Sequence, residues 1–171
     1  MPLQYTLAES IDLPKEEKFD HIHNNDAASM LSAILTLNIA DRNMLSCILK
    51  QSDCDMSHLN YDKLFSQGLL DALANAEKEA LQRNCDGEYR PGELCGLDAD
   101  PLICAQDSPD FYLYRIIKTT ESEAIIESAW PQYPGSEGAV PEDHTTYRML
   151  KKNGHWILDG INKEAFCAYN W

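Results

Sequence analysis

The 171-residue sequence predicts an α+β fold, with N-terminal helices packed on one face of a curved antiparallel sheet. Three observations carry this. Apolar residues recur at helical spacing up to about residue 84. After residue 100 the period shortens to that of strands, in stretches rich in aromatic and β-branched residues. Asn153-Gly154, between two such stretches, is the strongest hairpin signal in the chain, because both residues tolerate the positive φ of a type I′ turn.

Residues 1–24, rich in Pro, Lys, Glu and Asn, read as a loosely ordered lead-in to one domain spanning 25–171. Asn24, Asn25 or Asp26 caps a first helix, with Met30, Ile34, Leu37 and Ile39 inward. A second helix covers Asp41–Lys50 and turns Met44, Leu45, Ile48 and Leu49 inward. Asn60 or Asp62 opens a longer helix on which Leu64, Phe65, Leu69, Leu70, Leu73, Ala76, Ala80 and Leu81 form one stripe. Gly68 weakens its first part, and the helix ends near Asn84. The Gly- and Pro-rich stretch 85–101 is a loop. Strands follow at Phe111–Thr119, Glu123–Trp130, His144–Lys152 and His155–Ile161, with a long Pro-rich loop before His144. The aromatic tail Ala165–Trp171 docks on the body, and Tyr169 and Trp171 are secondary contact candidates.

The net charge is −14 and the pI about 4.6. That excludes nucleic acid and anionic membranes as partners, since phosphate recognition needs a basic footprint. An acidic field suits a basic protein partner. No apolar run is long enough to span a membrane, so no membrane insertion by this chain is expected. The first residues are not a secretory signal, which needs a basic stretch followed by an apolar one. Six cysteines nevertheless favour an oxidising compartment, the periplasm or cell envelope, with a signal segment absent from this sequence; the cytoplasm is the alternative.

The cysteines contain no Cys-x-x-Cys pair, which argues against zinc-ribbon or thioredoxin chemistry. Six cysteines allow 15 pairings. Local spacing suggests Cys47–Cys54 and Cys85–Cys95, leaving Cys104–Cys167 to tie the sheet entrance to the tail. A Cys104 nucleophile with His144 or His155 is conceivable but has no flanking signature. His21 and His23, with Asp26, are a weak metal set, so neither metal nor cofactor is expected. An acid–base site would draw on Asp107, Tyr112, Tyr114, His144, Tyr147 and Asp159, which are also the candidates for ligand or partner contact. Against this, Tyr is common on sheets, and Asp107 before Ser108-Pro109 is good turn chemistry.

Tyr147, Leu150, Asn153, Gly154, Trp156, Leu158 and Asp159 form a hairpin that resembles the nuclear-transport-factor-2-like (cystatin-like) superfamily. Asp100-Pro101-Leu102 and Cys104-Ala105-Gln106-Asp107 are similar to a branch of small bacterial secreted or lipoprotein-type proteins of unknown function. The resemblance covers residues 60–165; Gly160 stands where such proteins often carry a second acid. It implies a cone-shaped fold enclosing a pocket, a scaffold that serves isomerases, dehydratases, binding modules and toxin-immunity proteins. The expected function is therefore a non-catalytic binding protein of the bacterial cell envelope, in concrete form an immunity-type protein that neutralises a secreted toxin. Its contact candidates are the loop 132–144 and the acidic stretch 98–110. The alternative is a small-molecule-binding protein or an isomerase- or dehydratase-like enzyme using the cone interior.

Overall fold

The structure is a computed structural model that describes residues 6–7, 27–50, 61–107, 113–129, 144–164 and 167–171. Its helices are α1 (Ala27–Ala40), α2 (Arg42–Lys50) and α3 (Gln67–Cys85). Its strands are β1 (Thr6–Leu7), β2 (Leu113–Thr119), β3 (Glu123–Ala129), β4 (His144–Lys152), β5 (His155–Lys163) and β6 (Cys167–Tyr169). The strands form one open antiparallel sheet in sequence order. The α+β class is thus as expected.

The sheet alternates as period-two strands must. Thr145, Tyr147 and Met149 of β4 are buried, while His144, Thr146, Arg148 and Leu150 point the other way and stay half-covered. Ala124 and Ile126 of β3 and Leu158 and Ile161 of β5 extend the inner layer, against which α1 packs. Asn153 (φ 52°) and Gly154 (φ 81°) close the β4–β5 hairpin in the left-handed region, as their chemistry predicts.

Helix α1 is covered almost all round: Ala27, Ala28, Leu31, Ala33, Ile34 and Leu35 are buried. The stripe continues to Asn38, so Ile39 falls off it and is 44% exposed, against the expected inward position. Its expected cap, residues 24–26, lies outside the described residues. In α2, Met44 and Ile48 are buried and Leu45 and Leu49 half-buried.

The third helix starts later than its apolar stripe suggests. Residues 61–63 make a single 3-10 turn. Leu64 and Ser66 then bond to the edge of β5, with Leu158 N donating to Leu64 O (2.8 Å) and Ser66 N donating to Leu158 O (2.9 Å). Only then does Ser66 cap α3, its hydroxyl accepting Leu69 N–H at 3.1 Å. Leu64 and Phe65 are core residues, but of a sheet-edge stub, not of a helix.

Two short strands are additions to the expected order. Thr6–Leu7, inside the expected lead-in, pairs with β2, and Cys167–Tyr169 pairs with the end of β5. The tail then folds over the sheet. Asn170 donates to Asp159 O (2.7 Å), Arg148 bonds Asn170 O, and the Trp171 ring lies 5.4 Å from the Arg148 guanidinium carbon. This explains Gly160. A Cβ there would lie 2.9 Å from Asn170 O and 3.2 Å from the Trp171 ring, so a larger residue would lift the tail.

Candidate functional site

The Asp100–Ala105 segment is a plug set on the inner face of the sheet. Asp100 organises it: its Oδ1 accepts Leu102 N–H (2.9 Å) and its Oδ2 accepts the Asn38 amide (2.5 Å). Burial pushes the Asp100 carboxyl above its ordinary pKa, and these bonds partly oppose the rise. Leu102 and Ile103 are buried. Tyr147 Oη donates to Leu102 O (2.7 Å), Thr145 Oγ1 to Ile103 O (3.3 Å) and Lys163 Nζ to Cys104 O (3.3 Å). Cys104 is bridged to Cys167, so it offers no thiolate to His144 or His155.

From this plug the chain leads back to a second rigid segment at the end of α3. Glu77 lies on the buried stripe of that helix, four residues after Leu73 and three before Ala80. A buried carboxylate must be compensated, and here the following loop supplies the donors. Leu97 N–H donates to Glu77 Oε2 (2.8 Å) and Tyr89 O–H to Oε1 (2.9 Å). Gly96 lets the backbone close on that carboxylate, since a Cβ there would lie 1.9 Å from Oε1. Asp86, at φ 56°, ends α3 in the left-handed conformation. Cys85–Cys95 closes the loop with Cα atoms 5.2 Å apart. Burial, and then the bond to Glu77, push the Tyr89 hydroxyl up to about 12. Lys50 sits 4.6 Å over the Tyr89 ring, joining the loop to α2.

What this loop displays is acidic and apolar together. Leu94 is 66% exposed and Tyr89 47%. Asp86, Glu88 and Glu93 are exposed on the same loop. Arg90 is shared between Asp86 (3.0 Å) and Glu93 (3.6 Å). Residues 67–107 hold nine acids against three bases. The same side contains Tyr169, whose pKa is raised by burial and by the charges of Asp100, Asp98 and Glu77.

The five described residues of the six expected contacts are spread over the core, the outer sheet face and the exposed end of the plug. Tyr114 and Tyr147 are buried in the core, and burial pushes the Tyr114 hydroxyl up to about 12. Asp107 is exposed beyond the plug. Asp159 is held by Arg148 at 2.6 Å under the tail. His144 meets Glu127: its Nδ1 lies 2.5 Å from the carboxylate, which Arg115 also pairs. Tyr112 lies outside the described residues, as do Cys54, Trp130, the loop 131–143 and the His21, His23 and Asp26 set. Cys47 is disulfide-bonded.

Cys85, Glu93 and Cys95 lie close enough to suggest a metal site, but both sulfurs are consumed in the disulfide. Glu77, Tyr89, Leu94 and Glu127 were not singled out from sequence. A usable signal existed for Glu77, a carboxylate on an apolar helical stripe. Another existed for Leu94, an apolar residue inside a cysteine-closed acidic loop. No helix among the described residues is long and apolar enough to cross a membrane. Two disulfides join described residues, which fits an oxidising compartment. No protein-family model, curated protein or solved structure matches the chain.

Proposed function

We propose that the chain is a non-catalytic binding protein of the bacterial cell envelope, which holds a basic protein partner against the loop 85–95. Its concrete form is an immunity-type protein that blocks a secreted toxin. The carrying observation is the exposed Leu94 on a loop that also exposes Asp86, Glu88 and Glu93 and that is held by a disulfide and by the Glu77 carboxylate. An apolar anchor inside a charged rim is the arrangement that concentrates binding energy, and a loop ordered beforehand loses little entropy on association. The net charge of −14 favours fast capture of a cationic partner. The open sheet with helices on its inner face suits the nuclear-transport-factor-2-like cone, which belongs to the same proposal.

The test uses the secreted proteins encoded beside this gene as partners. Binding should weaken as salt rises, and Leu94→Asp and Glu88→Lys/Glu93→Lys should each weaken it at least about tenfold. Unchanged binding by all variants would place the contact elsewhere.

A second reading rests on the Glu127–His144 pair. A carboxylate on Nδ1 orients an imidazole so that Nε2 becomes the working base. This lies on the sheet face opposite the core tyrosines, so an acid–base enzyme would not use the cone interior. His144→Gln abolishing turnover of a substrate bound by the protein would establish it; full turnover by that variant would remove it.

A further inference from the structure

The two disulfides that join described residues sit in opposite surroundings. Cys85 and Cys95 are buried, at 2% and 3% exposed, and the Glu93 carboxylate lies 3.7 Å from Cys85 Sγ. Asp86 and Glu88 add negative charge on the same loop. Cys104 and Cys167 are only half-buried. Beside them stands a cation: Lys163 Nζ donates to Cys104 O (3.3 Å), and Lys163 lies opposite Cys167 in the β5–β6 ladder. Asp98 and Asp100 act on Tyr169, two residues along β6, and Asp100 holds its carboxylate on Leu102 N–H and the Asn38 amide. Cys104 also sits at φ 53°, a left-handed conformation that is costly for a residue with a side chain.

We infer that Cys104–Cys167 is a redox latch on β6, opened by a dithiol ahead of Cys85–Cys95. The attacking thiolate is an anion, so it reaches a half-buried bond beside Lys163 more readily than a buried one beside Glu93. The leaving thiolate is likewise stabilised by the ammonium and disfavoured by the carboxylate. In the exchange, one dithiol sulfur attacks a cysteine Sγ, a mixed disulfide forms and the other cysteine leaves as a thiolate. The second dithiol sulfur then displaces the first cysteine. The dithiol ends as a cyclic disulfide, and its two electrons and two protons end on Cys104 and Cys167. The remaining bonds decide what moves. The plug stays on the sheet through Tyr147 Oη to Leu102 O and Thr145 Oγ1 to Ile103 O. β6 pairs with β5 over three residues only, so residues 167–171 are the part released. Their departure uncovers Gly160 and the Arg148–Asp159 pair, which Asn170 and Trp171 contact. This inference is independent of the loop 85–95 and of the partner proposed for it.

The test treats the oxidised full chain with dithiothreitol under native conditions. Free thiols are trapped with iodoacetamide at timed points, and each cysteine is read by peptide mass spectrometry. Cys104 and Cys167 should be labelled at least about tenfold faster than Cys85 and Cys95. Lys163→Gln should slow Cys104 and Cys167 about threefold, and Glu93→Gln should speed Cys85 and Cys95 by a similar factor. Hydrogen exchange, once Cys104 and Cys167 are open, should show the Ala168 and Tyr169 amides deprotected and those of β3 and β4 unchanged. Equal or reversed labelling, labelling of Cys104 and Cys167 indifferent to Lys163→Gln, β6 amides still protected after the latch opens, or loss of protection across the whole sheet would each overturn the inference.

Discussion

Replacing Gly96 by alanine should be among the most damaging one-carbon changes in the protein. Its Cβ would lie 1.9 Å from Glu77 Oε1 and 2.7 Å from Oε2. A flexible exposed glutamate would swing away at little cost. Glu77 is only 5% exposed, and its two oxygens are held by Leu97 N–H and Tyr89 O–H. Hydrogen bonds to a charged group contribute about 1.5–3 kcal/mol each. Losing one and weakening the other gives an expected loss of about 2–4 kcal/mol. For a chain of this size that is a fall in Tm of roughly 5–15 °C. Urea unfolding of the oxidised protein measures it directly. Glu77→Gln supplies the control, since a smaller loss on adding Gly96→Ala in that background shows that the two residues act through one contact. A Gly96→Ala protein within about 0.5 kcal/mol of the parent would refute the reasoning, because the carboxylate would then be free to move.

Further predictions concern other parts of the same framework. Tyr147→Phe leaves the buried Leu102 carbonyl without its donor and should cost about 1–3 kcal/mol in urea unfolding. Cys104→Ser/Cys167→Ser opens a closure of sequence separation 63 and should cost about 4 kcal/mol, against about 3 kcal/mol for Cys85→Ser/Cys95→Ser with separation 10. Tyr114 is raised to about 12 by burial, so the unfolded chain loses this proton first; stability is retained below about pH 10 and declines towards pH 12, and Tyr114→Phe should flatten that decline. Gly160→Val should lift the tail, read as a loss of the tryptophan fluorescence signal of Trp171 over Arg148 relative to a Trp171→Phe reference.

The large divisions of this fold were legible because they rest on periodicity. The strands β3 to β5 and the Asn153-Gly154 turn follow from side-chain alternation and from residues that accept positive φ. The pairing Cys85–Cys95 followed from spacing, because a short Gly- and Pro-rich loop readily brings its ends together, and Cys104–Cys167 followed as the pair left over. Periodicity fails where backbone bonding decides. Leu64 and Phe65 continue the stripe of α3, yet their segment bonds to Leu158 before Ser66 can start the helix. β1 and β6 are two and three residues long, too short to show a period. The acidic residue that organises the plug is Asp100, not Asp107, because only Asp100 reaches both Leu102 N–H and Asn38. Glu77 stood out only as a carboxylate on an apolar stripe and Glu127 not at all, because their partners are distant in sequence and only the folded chain brings Leu97, Tyr89, Arg115 and His144 to them.

The central claim is that the loop 85–95 is a preformed contact surface for a basic protein. Calorimetric titration of the oxidised protein with a secreted basic protein encoded beside its gene tests it most directly. The account predicts association at micromolar concentration or tighter, weakened at least about tenfold by Leu94→Asp. No association at micromolar concentration, or association that Leu94→Asp and Glu88→Lys/Glu93→Lys leave unchanged, would contradict it.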